Sequence, residues 1–379
     1  MLKWTLWVGG IIFFITSCKK DPAIEPLNSF FRTYTGNGDL IGRDVLVNEQ
    51  GQIVACGYGT GNNGDDDLVL LFLDSSGIEL SRSYVGTAGN DQCWSFAHSP
   101  DGGFVIAGWT DVNNPGVSND ILIVKTDAAG NQQWTKIYGD SYNDLSTHIA
   151  ATPHGYIVTG ILGGTADENS WILKLDENGD TTWTFTYGSN NNDGAMSVCV
   201  NADQSYAVTG YTNSSATGST DGYVMLLTNT GTLRAFYDFG GSGYEEPHDI
   251  VQVPGGWMIC GHAGTTDFHT HSLFEQFVGD QGQIGTYHAF GGPDHDGGES
   301  MAIHGTRIHI VGRSASVDPD QDVFYVQTDF SGNQKEMKWL GTENEDPGYG
   351  IFVDSKQVLI TGYAVNPITG NKDLLVLRK

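Results

Sequence analysis

The sequence predicts an all-β chain, a seven-bladed β-propeller of four-stranded antiparallel blades whose last blade is closed by the N-terminal strand. The first observation behind this is an apolar run ending in glycine, which recurs as 53–57, 104–108, 156–160, 206–210, 257–261, 308–312 and 358–362. Its glycines, Gly57, Gly108, Gly160, Gly210, Gly261, Gly312 and Gly362, are spaced 51, 52, 50, 51, 51 and 50 residues apart. A register held over six intervals marks a repeat architecture. The second is another glycine column, Gly36, Gly86, Gly139, Gly188, Gly240, Gly291 and Gly341, which follows a turn in each unit. The third is a run between the two columns that opens on a short polar residue and usually reaches Asp, as in 67–74, 120–127, 169–176, 221–228, 322–329 and from Asp373 onward.

Each unit of about 50 residues thus offers four short segments rich in Val, Ile, Tyr, Phe and Thr, punctuated by Gly, Asn and Asp. Such segments read as antiparallel strands joined by tight turns, and no convincing helix interrupts them. One four-stranded sheet cannot bury both faces alone, whereas seven arranged radially bury each against its neighbours. The turn Asp176-Glu-Asn-Gly179, repeated in other units as Asp-x-x-Gly, is hairpin chemistry, with Asp capping the turn and Gly supplying positive φ. Trp134 and Trp183, four residues after the glycine of that turn, are expected between blades. The last unit stops at Lys379 after its third strand, and 28–36 fits the fourth-strand template with Phe31 in the tryptophan position. Residues 28–379 are therefore expected to form one closed ring, which hides its free edges.

Ahead of the ring, Lys3 is followed by the apolar run Trp4–Ile15 and then by Ile15-Thr16-Ser17-Cys18. Twelve apolar residues fall short of the roughly 20 needed to cross a hydrocarbon core, so the run reads as a secretory leader, residues 1–17. The segment resembles the lipoboxes of Gram-negative lipoproteins, in which a small residue precedes the modified cysteine. That resemblance implies acylation at Cys18, palmitate included, and residence at the outer membrane, on its cell-surface or periplasmic face. The polar, proline-bearing stretch 18–27 suits a tether. Membrane contact is then expected through the N-terminal lipid only, and the protein is expected to be a monomer.

The chain carries a formal charge of −27, a surface that repels phosphate backbones and makes nucleic acid an unsuitable partner. Cys56, Cys93, Cys199 and Cys260 show no CxxC or disulfide-framework spacing. Cys56 and Cys260 fall at equivalent positions of non-adjacent blades, and all four read as small core residues.

The repeat unit, with its glycine-terminated second strand, its Asp-led third strand and Asp127-Ala-Ala-Gly130-Asn-Gln-Gln-Trp134 leading into the fourth, resembles the tandem propeller repeats of secreted and surface bacterial proteins. It is more distantly similar to kelch and quinoprotein-like repeats. The resemblance implies a fold and leaves activity open, because such rings carry enzymes and passive binders alike.

In such a ring the loops between strands two and three open on one face together with the blade-to-blade connectors. These loops vary on a constant frame and are rich in Asn, Asp, Ser, Thr and Gly, as binding faces are. Thirteen residues before each strand-two glycine stands a non-aliphatic column expected to ring the channel: Asp44, Ser95, Thr147, Ser197, His248, Glu299 and Tyr349. Eight of the eleven histidines lie between 248 and 309, and His248, His262, His269, His271 and His295 map to the loop face. With carboxylates beside them they form the ligand mixture that zinc prefers. Asp318-Pro-Asp320-Gln-Asp322 and Asp65-Asp66-Asp67 are oxygen-rich turns of the sort that hold calcium.

The candidate ligand-binding residues are thus Asp44, His248, His262, His295, Glu299 and Tyr349, and the candidate metal ligands for Zn2+ or Ca2+ are His248, His262, His295, Asp318, Asp320 and Asp322. No catalytic set assembles. A sialidase needs three converging arginines, and of the seven present only Arg43 and Arg313 sit near the face. The adjacent cysteine pair of quinoprotein dehydrogenases is absent, as are GxSxG and phosphate-loop motifs. A lipid-anchored envelope propeller that binds a glycan or an envelope protein is the expected function. The alternative is a metal-assisted hydrolase or lyase acting on polysaccharide, with His248, His262, His295 and Glu299 around a divalent ion.

Overall fold

The computed structural model describes residues 29–379 apart from 62, 166, 189–190, 215–218, 265–270 and 318–319. The proposed leader, tether and Cys18 lie outside the described residues, as do Asp318 and His269. The described residues form twenty-eight strands in seven four-stranded sheets and no helix long and apolar enough to cross a membrane.

Blade one shows the plan, with an inner strand Leu40–Val47, then Ile53–Thr60, Asp66–Leu73 and an outer strand Glu79–Val85, each hydrogen-bonded to the next. The seventh sheet is composite. Its inner strands Gly348–Val353, Val358–Val365 and Lys372–Arg378 come from the C-terminus, and Phe30–Tyr34 adds the outer edge, pairing Phe30 with Arg378 and Tyr34 with Leu374. Closure is as expected, but the tryptophan position is filled by Phe30. Trp134 pairs with Lys125, the sixth residue of its neighbouring strand, and Phe30 pairs with Arg378 in the matching place. Phe31 points outward, 37% exposed. The connector 35–39 has the same five residues as 86–90 and 139–143, but its glycine, Gly36, stands second in it where Gly86 and Gly139 stand first, so a count back from the glycine lands one residue late.

Apolar residues fill the seven gaps between sheets. Between blades one and two, Val54, Cys56, Leu68, Leu70 and Phe72 meet Cys93, Phe96, Phe104, Ile106 and Leu122. Third strands are buried on both faces, hence their near-continuous apolar runs, while outer strands such as Thr181–Tyr187 keep exposed positions. At about 25 cal/mol per Å2 of apolar surface, this radial stacking is the main stabilising term.

A β-bulge interrupts every inner strand at one place. In blade one, Gly42 pairs with Gly57 and Asp44 with Cys56, which leaves Arg43 unpaired. The same shift leaves out Trp94, Thr147, Met196, His248, Glu299 and Tyr349 in the other blades. The strand-two glycine column follows from it. A Cβ on Gly57 would overlap the Ile41 carbonyl oxygen, and one on Gly312 the Gly297 carbonyl oxygen. The bulge presses backbone against that position, and only glycine leaves room.

The bulge also corrects the channel column. Five-residue hairpins join strands one and two in blades one, two and four, as at 48–52, whereas blades three, five and six turn in two residues, as at 254–255. A fixed offset of thirteen residues therefore picks the bulged residue in some blades and the residue after it in others. The true columns are Arg43, Trp94, Thr147, Met196, His248, Glu299, Tyr349 and, one residue on, Asp44, Ser95, His148, Ser197, Asp249, Ser300, Gly350.

That second column fastens blade to blade. Asp249 accepts hydrogen bonds from the Ile250 amide at 2.8 Å and Ser197 Oγ at 2.8 Å on one oxygen, and from the Met301 amide at 2.7 Å on the other. Asp44 likewise receives the Val45 amide at 2.8 Å and the Phe96 amide of blade two at 3.3 Å. Burial, reinforced by the Asp249 charge, pushes the Asp44 carboxyl up to about 7 against those hydrogen bonds.

Two predictions follow from closure and fastening. Deleting residues 28–36 should lower the melting temperature by far more than the loss of nine surface residues would, because it exposes the edge of Lys372–Arg378; an unchanged melt would refute the composite sheet. Asp44 titrates higher folded than unfolded, so its contribution is fully present below about pH 4 and is lost as pH rises through about 7. An Asp44→Asn variant should accordingly lose less stability than the parent between pH 4 and 7, by on the order of 3 kcal/mol at most, as followed by thermal melts across that range.

Candidate functional site

The bulge gives the channel its lining. Two successive inner-strand residues border the channel in six of the blades, and all seven bulged residues border one cavity of about 450 Å3. Its wall divides into an aromatic, cationic half and a histidine–carboxylate half.

Arg43 anchors the first half. Its guanidinium carbon lies 4.4 Å from the centre of the Trp94 ring, 4.5 Å from that of Tyr349 and 5.7 Å from that of Tyr58. These are cation–π distances. Arg43 Nε and Trp94 Nε1 are both buried without a hydrogen-bond partner among the described residues. Tyr349 also packs against Tyr363, the rings tilted by 40° and 6.1 Å between centres.

The second half holds His248, from the bulge of blade five, and Glu299, from the bulge of blade six, and His262, on the strand beside His248, meets them from an adjoining cleft. Ligand atoms of the three lie within 4.8 Å of one another. His248 Nδ1 is 3.1 Å from Glu299 Oε2, His262 Nε2 is 3.3 Å from Glu299 Oε1, and Arg313 Nε reaches the same Oε1 at 3.1 Å. The imidazoles stack 4.3 Å apart. A Cβ on Gly297 would overlap the His262 ring, so glycine there is what lets the ring lie across the blade-five to blade-six gap.

Electrostatics divides the labour. Burial draws His248 down, but the charge and hydrogen bond of Glu299 outweigh it and hold His248 above the ordinary histidine value. Burial and the neighbouring His248 charge lower His262. Burial would raise Glu299, yet the charge and hydrogen bond of His248, with His262 assisting, hold it well below the usual carboxylate range. The Glu299 carboxylate thus favours the charged form of His248 over that of His262, with the Arg313 guanidinium behind it.

This donor set can hold a metal. His248 Nε2 is buried without a hydrogen-bond partner among the described residues, while His262 Nε2 and Glu299 Oε1 face each other at 3.3 Å. Two imidazoles and a carboxylate are a zinc or non-haem iron ligand set that leaves coordination positions open for water or substrate. Arg313 is the competing cation.

Of the residues singled out from sequence, His248, His262 and Glu299 are brought together, and Asp44 and Tyr349 share their cavity, although Asp44 is engaged in joining blades. His295 stands apart from the three. It lies edge-on to His271 at 5.2 Å, and both line a cleft of about 210 Å3 with His262 and Arg313. Asp320 is exposed. Asp322 opens the third strand of blade six in a recurrent place, facing the blade-to-blade connector at Gly341 and bridging to Asp346, away from the histidines. Trp94 was missed, because its hairpin is long and the fixed offset selected Ser95.

No protein-family model matches the chain, and no curated protein sequence matches it. Solved structures do. A protein from Lactobacillus plantarum superposes with a TM-score of 0.51 at 13% identity over 90% of this chain and 96% of its own. A putative 6-phosphogluconolactonase from Bacteroides fragilis gives 0.51 at 10% identity over 90% and 95%. The WD40 domain of Pan2 from Neurospora crassa gives 0.47 at 8% identity over 77% and 89%. The resemblance to kelch-type repeats gains no support from these comparisons. At such identities the likeness is one of fold alone, and the chain is a seven-bladed β-propeller.

Proposed function

We propose that the protein is a lipid-anchored envelope propeller that binds an acidic glycan at the mouth of its central channel. The observation that carries this reading is the Arg43 clamp, a guanidinium gripped by three aromatic rings beside the buried, unpartnered Nε1 of Trp94, in a cavity of about 450 Å3. Cavities of roughly 300–1,000 Å3 suit small ligands or chain ends rather than folded partners. Aromatic faces accept sugar rings, and guanidinium and indole N–H groups donate to hydroxyl and carboxylate oxygens. The apolar run Trp4–Ile15 leading to Cys18 supports delivery to the envelope.

Binding is tested by titrating the full chain with oligogalacturonates and with neutral oligosaccharides of the same length, following tryptophan fluorescence and heat. Acidic oligomers should bind, and Arg43→Ala should weaken them at least tenfold while leaving the melt within a few degrees of the parent. Equal binding by the variant, or no saccharide binding at all, would remove the proposal. Palmitate labelling of cells should be lost in Cys18→Ser; labelling that persists would reject the anchor.

A second reading, a metal-assisted hydrolase or lyase acting on polysaccharide, is favoured by the His248–His262–Glu299 cluster alone. On that reading these three residues would hold the ion and Arg313 would orient substrate. Titration with zinc chloride should then show one site, lost in His248→Ala and in Gly297→Ala, whose methyl group displaces the His262 ring. Polysaccharide turnover abolished in Glu299→Gln would make this reading the function, whereas zinc binding without turnover would leave the binder.

A further inference from the structure

One contact recurs at the junctions between blades. The residue just before a strand-two glycine faces the residue just before the bulge of the next blade. Thr361 meets Gly42 in this way and Val311 meets Gly348, each so close that a Cβ on the glycine would overlap it, and Cys260 meets Gly298 at contact distance. Between blades one and two the same two places hold Cys56 and Cys93. Their sulfurs are 3.0 Å apart, and both residues are fully buried. That is closer than non-bonded sulfurs pack and about 1 Å longer than a disulfide bond. Among the described residues the other two cysteines are not so placed. Cys199 and Cys260 belong to different inter-blade clusters, and the counterpart of Cys260 is a glycine.

We propose that Cys56 and Cys93 form a disulfide that fastens blade one to blade two once the chain reaches an oxidising compartment. The pairing follows from the blade-to-blade register and needs nothing from the ligand reading. It forms by exchange. The thiolate of one cysteine attacks the disulfide of a donor, either a thiol–disulfide oxidoreductase or oxidised glutathione, and expels one donor thiol. The second cysteine then attacks the mixed disulfide and expels the other. Two protons leave the protein thiols, two electrons pass to the donor, and the donor ends as two thiols. Burial and the neighbouring Cys93 sulfur hold the Cys56 thiol well above its ordinary value, so little thiolate exists in the folded ring. The bond therefore closes while the two blades are still docking, before the gap between them is sealed.

The full chain purified from cell envelopes tests this without a variant. Alkylation in denaturant without reductant, then proteolysis and mass spectrometry, should yield a peptide joining Cys56 to Cys93, two hydrogens lighter than its parts, with Cys199 and Cys260 alkylated. Refolding with oxidised glutathione should give the same link. Reduction should lower the melting temperature by roughly 5 °C, given the size of the loop closed and of the chain. A Cys56→Ala/Cys93→Ala double variant should melt identically with and without reductant. Alkylation of both Cys56 and Cys93 in the envelope and glutathione-oxidised samples would overturn the proposal, and so would a link joining either to another cysteine.

Discussion

The close approach of each inner strand to the strand beside it, at a point where only glycine fits, is the constraint on which the rest of this ring depends. One extra residue in the inner strand bends it and thrusts backbone toward its neighbour. The neighbour answers with a missing side chain, seven times. A repeated bulge sharpens the local twist at the same height in each blade, which lets seven sheets meet around a common axis with their inner strands in register.

Function grows from the same distortion. In a regular strand, successive side chains alternate between faces, and only every second one would look toward the axis. The bulge turns two in succession toward it, and the blades have divided these between two tasks. The second residue of the pair ties neighbouring blades, as Asp249 does by accepting from blades four and six. The first, freed from the ladder, is open to chemical variety, and Arg43, Trp94, His248, Glu299 and Tyr349 occupy it. A rigid frame with one variable position per repeat is how such rings acquire new specificity without losing stability.

Much of this was legible in the sequence. Blade number, strand count and the composite seventh sheet follow from two glycine columns, because glycine at these places answers a backbone need that no other residue meets. His248 and Glu299 were found for the same reason, since blades five and six turn in two residues and the fixed offset lands on the bulge. Arg43 and Trp94 were passed over as channel residues because five-residue hairpins shift them by one. The distance from bulge to hairpin also differs by one between the two kinds of blade, so only the pairing register, with its extra residue, identifies them. The pairing of Cys56 with Cys93 was hidden for a different reason. Comparing equivalent positions among repeats shows which residues share a role, whereas contact across a gap joins two different roles in successive repeats. Which ligand the channel takes is not written in the repeat at all, because it lies in the few places where the repeats differ.

The composite seventh sheet has a consequence for the order of events in synthesis. Among the described strands Phe30–Tyr34 leaves the ribosome first, and the strand it pairs with leaves last. Six complete blades can exist while the circle is still open, and the lone leading strand must wait, unpaired, through the making of more than three hundred residues. Contacts of such long sequence separation form late and slowly. The ring therefore cannot lock shut until the strand Lys372–Arg378 has been made and can meet the waiting edge.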